Sequence, residues 1–521
     1  RTVLPRQQTL RAVVDWSWDL LDEPERTVLR EVSVFAGGWD LAAAEAVCTG
    51  PAADLIGALV DKSLLIAEPT ARGDMRYRML ETIHEYATER AAETPELRAA
   101  AGRRHTAYVR ALVEQADPLL RSADQLRWIQ RLETELDNIR AALQRTTEAR
   151  EEEDALAIAL ATGWFWWLRN YRREASEWTA RILSFAPPTP PDGPDGPDDS
   201  RYWSWMSLRL LSFFLVAESR TEDLLAGEGR REEVGRVRDA FARQGPASAR
   251  FPGLIWPFTV YFLDGTDASR PAMDEVVANC RKYGGDWEIG VSLMFRAHQA
   301  VDAPGNLSGV DEDLAELRGL SKRAGDRWMR AQVSSAAGEA AMARGRYEEA
   351  RGEYEEALRL AYEVGAYAET PFLIVRLAEV AYREDDRELA AKALIEASIE
   401  ADRYGVADAR AFLRMMQARM ALDDGDVAEA RVCFEVSRAD AERGTPPPQF
   451  TADLKRLEST IVAAESGPEQ ALLLLADGLR EAVQSRCAEL VVAALVDTGA
   501  TFVCQLGDHP RAVRLLAFST R

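Results

Sequence analysis

Apolar residues along most of this chain recur every three or four positions, the spacing of one helix face; one short stretch departs from it. Leu10, Val13, Val14, Trp18 and Leu21 mark a first helix. Asp22 and Glu25 then stand at capping-box spacing, Pro24 fits the first turn, and Val28, Leu29, Val32 and Phe35 line one face before Gly37 and Gly38 end the helix. Asp40 opens a third helix, "DLAAAEAVC", and "AADLIGALVDKSLL" supplies a fourth that packs through Leu55, Ile56, Leu59 and Val60. The pattern then changes. "SLLIAEP" and "MRYRML" read as two strands around a turn at Gly73 and Asp74, and the second leads into the helix "ETIHEYATERAA". Helices followed by a hairpin predict a winged-helix domain over residues 1–97.

Helical spacing resumes in "HTAYVRALVEQADPLL" and "LRWIQRLETELDNIRAAL", connecting helices within 98–149 joined by a turn near Ser122. A first repeat pair occupies 150–185. Its Trp164, Phe165, Trp166 and Trp167 are too bulky for a solvated face and are expected to be buried between repeats; a ligand-binding aromatic wall is the alternative. Residues 186–200, "APPTPPDGPDGPDDS", have the composition of a flexible linker. Prolines interrupt its aspartates, and the spacing is wrong for a calcium loop.

Over 201–521 the chain repeats itself. Gly265, Gly305, Gly345 and Gly425 share a 40-residue step, Asp385 stands where the series lacks a glycine, and Gly467 and Gly507 continue it after a two-residue slip. Ala350, Ala390 and Ala430 follow such marks by five residues, and Ala471 and Ala512 come at nearly the same phase. Glycine allows a tight turn between two helices, and the small alanine lets the second approach the first closely. No single pair can bury its apolar face, so neighbours must stack. The phrase G-x-Y-x-x-A at Gly345, Tyr347 and Ala350 resembles the turn and second helix of a tetratricopeptide repeat. The expected fold is mostly all-α: a winged-helix domain with a small β-hairpin, then a right-handed α-α superhelical, tetratricopeptide-like solenoid. Residues Arg201 to Gly285 read either as degenerate repeats or as an insertion.

Charge and composition narrow the function. With 64 Lys+Arg against 86 Asp+Glu the formal net charge is -22, which disfavours bulk nucleic-acid binding. Between Asp40 and Ala67 the only cation is Lys62, against Asp40, Glu45, Asp54 and Asp61, so this region is expected to make no direct nucleic-acid contact. The five cysteines form no CxxC pair, and no run of about 20 apolar residues suits a membrane span. A cytoplasmic chain without a membrane partner is expected. His84, His105, His298 and His509 form no HExxH or Cys/His cluster, and no GxSxG elbow occurs, so neither a metal site nor an enzyme is expected.

"LPRQQTLRAVVDWSWDLLDEPERTVLREVSVFAGGWDLAAAEAVC", "LVDKSLL", "RYRMLETIHEYATERA" and "WIQRLETELDNIRAAL" resemble the region after the ATPase core in actinobacterial STAND-class regulators, ATPases with an NB-ARC module. Many of these are transcription factors of the antibiotic regulatory protein or LuxR type. The resemblance is specific over residues 1 to about 185. It implies that the winged helix closes over ADP or ATP held by an ATPase module upstream of Arg1, and that the solenoid receives a small-molecule inducer or a protein partner. No GxxxxGK[ST] phosphate loop occurs in the chain, so no cofactor is expected on this chain alone. Related ATPases often carry Met-His-Asp where the strand meets the helix, the His reaching the β-phosphate of ADP. Met79, Leu80 and Glu81 stand there in this chain, after Arg76, making a nucleotide-adjacent junction whose leucine cannot donate to a phosphate. Glu81 is expected to complement the helix dipole, and His84 to lie on the outer face of its helix. A free-standing helical-repeat scaffold is the second reading, and a DNA-binding winged helix the third.

Overall fold

The computed structural model describes residues 5–70, 73–186, 200–217, 229–305, 307–443 and 446–519. Most of the expected linker, 187–199, lies outside the described residues. The chain forms two compact units, one of Arg1–Leu119, Arg127–Gly163 and Trp178–Pro187, the other of Leu120–Leu126, Trp164–Glu177 and Pro188–Arg521.

The first unit begins with α1 (Pro5–Asp19), α2 (Glu23–Val32), β1 (Trp39–Asp40), α3 (Leu41–Val47) and α4 (Ala52–Asp61). β2 (Ile66–Pro69) and β3 (Met75–Arg78) form the hairpin, and α5 (Glu81–Ala92) follows it directly. Local chemistry sets these boundaries. Asp22 and Glu25 close a complete capping box on α2, and the Asp40 carboxylate accepts from the Ala43 amide at 2.8 Å to start α3. The hairpin gains a third strand that the sequence pattern did not reveal: β1 pairs antiparallel with β3, Trp39 opposite Tyr77, in the order β1-β3-β2. Val28, Leu29, Val32, Trp39, Ile56 and Leu65 fill the core beneath.

Further helices are α6 (Pro95–Leu119), α7 (Gln125–Thr134), α8 (Leu136–Ala149), α9 (Glu152–Leu168) and α10 (Arg172–Leu183). α7 and α8 divide at Glu135, where a single helix was expected.

The second unit continues through α11 (Ser200–Ala217), α12 (Arg230–Phe241), α13 (Pro257–Asp264), α14 (Thr266–Tyr283), α15 (Asp286–Asp302) and α16 (Val310–Ala324). Then come α17 (Arg327–Ala343), α18 (Tyr347–Val364), α19 (Thr370–Arg383), α20 (Arg387–Tyr404), α21 (Ala407–Asp423) and α22 (Val427–Ala441). α23 (Pro448–Ser466), α24 (Pro468–Gln484), α25 (Glu489–Gln505) and α26 (His509–Ser519) complete it. From α13 onward consecutive helices pack in pairs, and the described part of the stretch from Arg201 to Gly285 is mostly helical, with α11 to α14 in it. Odd-numbered helices also pack on one another from pair to pair (α15 on α17, α19 on α21, α21 on α23), so they form the inner layer of the curve.

The repeat marks fall at the turns within pairs. Gly345, Gly425, Gly467 and Gly507 have positive φ, and Asp385 takes the same left-handed conformation with φ 65°. Asp386 and Asp426, one residue on, cap α20 and α22 through the Leu389 and Glu429 amides, both at 3.0 Å. Ala350, Ala390, Ala430 and Ala471 are fully buried where the second helix meets the first. The stack also closes on itself: the Ala488 amide donates to the Asp302 carbonyl at 3.1 Å, and the Gly305 amide to the Glu489 carboxylate at 2.9 Å.

Candidate functional site

At the strand-helix junction, Leu80 is the N-cap of α5, offers no side-chain cap, and is 49% exposed. Glu81 opens the helix beside it, where its charge suits the helix dipole. Met79 packs against the winged-helix core. Arg76 is committed internally, donating to Glu135 at 2.8 Å and to the Gly38 and Thr134 carbonyls at 3.0 and 2.9 Å. Leu80 and Glu81 are therefore the two of the four that face outward. His84 is not on the outer face: its Nε2 lies 3.0 and 3.1 Å from the carbonyls of Ser33 and Phe35, so it carries the proton and closes the end of α2.

α3 and α4 meet at 116°, the angle of a helix-turn-helix. The exposed face of α4 carries Ala53, Asp54, Gly57 and Asp61, and Lys62 Nζ just beyond it donates to the buried Glu25 carboxylate at 2.6 Å. That face presents no free cation to a phosphate.

A buried polar seam joins this domain to α6–α8. Glu31, fully buried, accepts from the Thr49 amide, the Thr49 hydroxyl and Arg104 at 3.0, 2.9 and 2.8 Å. Asn138 accepts from the Ala36 amide at 2.9 Å and donates to the Gly38 carbonyl at 2.9 Å and to Glu135 at 2.6 Å. Burial first, and Arg145 second, push His105 down to about 3, so it is neutral at physiological pH. Such a seam transmits displacement, since moving one member leaves buried groups unpaired.

In the solenoid, Trp164, Trp166 and Trp167 are at most 8% exposed. Trp164 stacks on Trp167 at 5.0 Å and meets Trp287 and Trp328 edge-on at 5.1 and 4.9 Å. These rings are core, not an open wall.

The inner layer carries charge instead. His298 Nδ1 lies 3.0 Å from Glu339, and Arg376 reaches Glu379 at 3.3 Å and Glu339 at 3.8 Å while covering the Phe412 ring at 4.8 Å. Desolvation, with the Glu339 charge behind it, pushes the Asp302 carboxyl up to about 7. Desolvation opposes the charged imidazole of His298, yet Glu339 outweighs it and raises its pKa. Tyr354 reaches this layer from α18 because Gly338 has no side chain: a Cβ there would stand 2.6 Å from its ring. The Tyr354 hydroxyl is buried without a hydrogen-bond partner among the described residues. Further along, a cleft of about 250 Å³ opens between α19, α21 and α23, lined by Tyr382, Arg383, Arg419, Asp423, Arg456 and Thr460 among others. Of these groups the sequence singles out His298 alone, and only as lacking a metal or catalytic motif. The available signal was a charged residue inside an apolar inner helix, such as Arg376 in "PFLIVRLAEVAY", and arginines at steps of 36 (383 to 419) and 37 (419 to 456) residues.

A family model described as "Winged helix-turn-helix domain" matches residues 21–92. A provisionally named HTH-type transcriptional regulator of Mycobacterium tuberculosis is 39% identical over 189 residues, 35% of this chain and 21% of its own length; one of Mycobacterium bovis matches equally. An uncharacterised M. tuberculosis protein is 41% identical over 98 residues, 17% of this chain and 24% of its own. The chain thus spans about a fifth of the length of the curated relatives it matches. Its N-terminal part is a winged helix-turn-helix domain homologous to such regulators.

Among solved structures, a STAND protein with a tetratricopeptide repeat sensor from Pyrococcus horikoshii aligns over 100% of this chain and 65% of its own at 10% identity, TM-score 0.37. A Rap protein complexed with Competence and Sporulation Factor aligns over 71% of this chain and 99% of its own at 10% identity, TM-score 0.44. Scores this low carry no argument, and the solenoid rests on its own packing. Winged helix-turn-helix domains are a fold widely used on DNA, so the family match runs against the expectation of no nucleic-acid contact, whereas the charges on α4 run with it.

Proposed function

We propose that this chain is the regulatory and signal-sensing region of a STAND-class ATPase transcriptional regulator. The inner layer of the solenoid receives an inducer or protein partner, and the winged-helix domain couples that event to a nucleotide-binding module outside this sequence. The observation that carries the reading is 39% identity over 189 residues to an HTH-type transcriptional regulator of which the match covers only 21%. The buried seam around Glu31, Glu135 and Asn138 supports it, because a domain bonded this firmly to α6–α8 moves with them. Coupling of this kind is a two-state equilibrium biased by differential binding. The surface offered to the nucleotide module is the edge at Leu80 and Glu81, and with leucine at that place the grip on ADP comes from shape and closure.

The test is made on the intact gene product. It is expected to contain a phosphate-loop module, to purify with bound nucleotide, and to release ADP faster when the solenoid is occupied. An intact product with neither phosphate loop nor bound nucleotide overturns the proposal and leaves a helical-repeat scaffold.

The third reading, a DNA-binding winged helix, is favoured by the helix-turn-helix family match. It requires salt-sensitive duplex binding that weakens when α4 is altered. Absence of binding by the chain at low salt removes it.

A further inference from the structure

Three guanidinium groups converge on the cleft of the inner layer: Arg383 from α19, Arg419 from α21 and Arg456 from α23. The carboxylates of Asp453 and Asp423 stand with them, and both are engaged. Asp453 accepts from Arg456 Nε and Nη2 at 3.1 and 3.0 Å. Asp423 accepts from the Tyr382 hydroxyl and pairs with Arg387 at 3.9 Å.

Arg419 and Arg383 are the two whose charged partners stand beyond hydrogen-bond distance. Arg419 is 14% exposed; its Nη1 lies 3.9 Å from the Met416 sulfur, and its Nη2 is buried with no hydrogen-bond partner among the described residues, Asp453 being 3.9 Å off. Arg383 has Glu379 at 3.7 Å, beyond hydrogen-bond distance. Buried polar groups are ordinarily bonded, and a chain with 86 carboxylates against 64 cations has no shortage of acceptors. A buried guanidinium left open in such a chain marks a place where an acceptor comes from outside. The field there is strong: burial alone raises a carboxyl, yet Arg456, Arg419 and Arg383 together hold Asp453 below its usual range.

We infer that this cleft binds the carboxylate of a small organic ligand, the guanidinium forks of Arg419 and Arg383 supplying the donors. The inference deepens the sensor reading above and rests on it for its regulatory meaning. Carboxylate fits better than phosphate: a single negative charge meets the two guanidinium forks, whereas the second charge of a dianion would face Asp453, Asp423 and Glu379. Leu422, Leu457 and the Tyr382 ring give a carbon skeleton an apolar wall. The volume, about 250 Å³, is at the small end of ligand pockets.

The test is calorimetric titration of the full chain with the monocarboxylates acetate, butyrate and benzoate at constant ionic strength, with inorganic phosphate as the rival. Saturable binding of at least one carboxylate is expected, weakened about tenfold or more in Arg419→Gln and partly restored in Arg419→Lys, which keeps the charge but not the fork. Arg480→Gln, whose partner Asp477 lies on an exposed face, is expected to bind as the unaltered chain does. If Arg419→Gln does not fold, Arg383→Gln, 45% exposed, is read in its place. No saturable carboxylate binding, or undiminished binding in the cleft variant, overturns the site; tighter binding of phosphate overturns the assignment to a carboxylate. Carboxylate binding that leaves nucleotide release from the intact protein unchanged counts against the sensor reading alone.

Discussion

Gly338 and Tyr354 form a single feature of the inner layer. The ring lies where a Cβ would be, so Gly338→Ala drives a methyl group into a fully buried tyrosine and is expected to destabilise the chain by about 1–3 kcal/mol. The hydroxyl beyond that ring has no hydrogen-bond partner, and an unbonded buried hydroxyl is unfavourable by about 1–3 kcal/mol. Tyr354→Phe is therefore expected to raise the urea midpoint, by about 1 kcal/mol in stability; a loss of that size would mean the hydroxyl is bonded in solution. Asp302 makes a pH-dependent prediction nearby. Its folded pKa, about 7, lies above the ordinary carboxyl value of 3.8, so the folded chain binds the extra proton and this group's stabilisation is lost as pH rises from about 4 to about 7. His298, raised by Glu339, adds a loss in the same direction as pH rises through its folded pKa. Arg376 and Gln449, the other partners facing Asp302, moderate the effect without reversing it. Asp302→Asn is expected to match the unaltered chain near pH 4 and to become progressively the more stable by pH 8, as read by denaturant midpoints; a constant difference across that range overturns the assignment.

Asp326 shows how one residue fixes the start of an element. Fully buried at the N-cap of α17, it accepts from the Met329 amide at 3.2 Å, from Gln125 Nε2 at 2.7 Å and from Trp287 Nε1 at 2.6 Å. Asp326→Ala strands two buried donors and an uncapped amide, so a loss of about 3 kcal/mol is expected in chemical denaturation, more than the roughly 1 kcal/mol of an ordinary cap. A loss no larger than a cap's would show that Gln125 and Trp287 find other partners. What the sequence made legible divides along the same line. Signals spanning a few residues were readable: the Asp22–Glu25 box, the Asp40 cap, the glycine turns with Asp385 among them, and the alanines behind them. Features that depend on distant partners were not. The strand Trp39–Asp40 is two residues long and exists only because Tyr77 and Arg76 lie opposite it. The break at Glu135 turns on that side chain reaching Arg76 and Asn138. His84 looked like a surface residue because nothing within one helix announces that the carbonyls of Ser33 and Phe35 will stand over it. The charged groove was hidden for the same reason: Arg383, Arg419 and Arg456 each sit in an unremarkable helix and become a site only when three inner helices align.

A stack of helix pairs in which each touches only its neighbours unfolds locally, because stability is a sum of repeat and nearest-neighbour terms. The solenoid of this chain adds a non-neighbour bond. The end of α15 is tied to the start of α25, five pairs further on, by the Ala488 amide on the Asp302 carbonyl and the Gly305 amide on Glu489. Charge and closure meet at one place, since Asp302 is both the perturbed carboxyl of the inner layer and an acceptor of the closing bond. A change at Asp302 therefore bears on whether this tie between α15 and α25 holds, a discrete alternative of the kind a sensor needs. Glu489→Ala tests this. With closure, the substitution in α25 is expected to lower amide-exchange protection in the last turn of α15 as well as in α25 itself, while α19 and α20 midway keep theirs. If protection falls only in α24 to α26, the solenoid behaves as an open nearest-neighbour stack, and ligand-induced change has to pass from pair to pair along the inner helices.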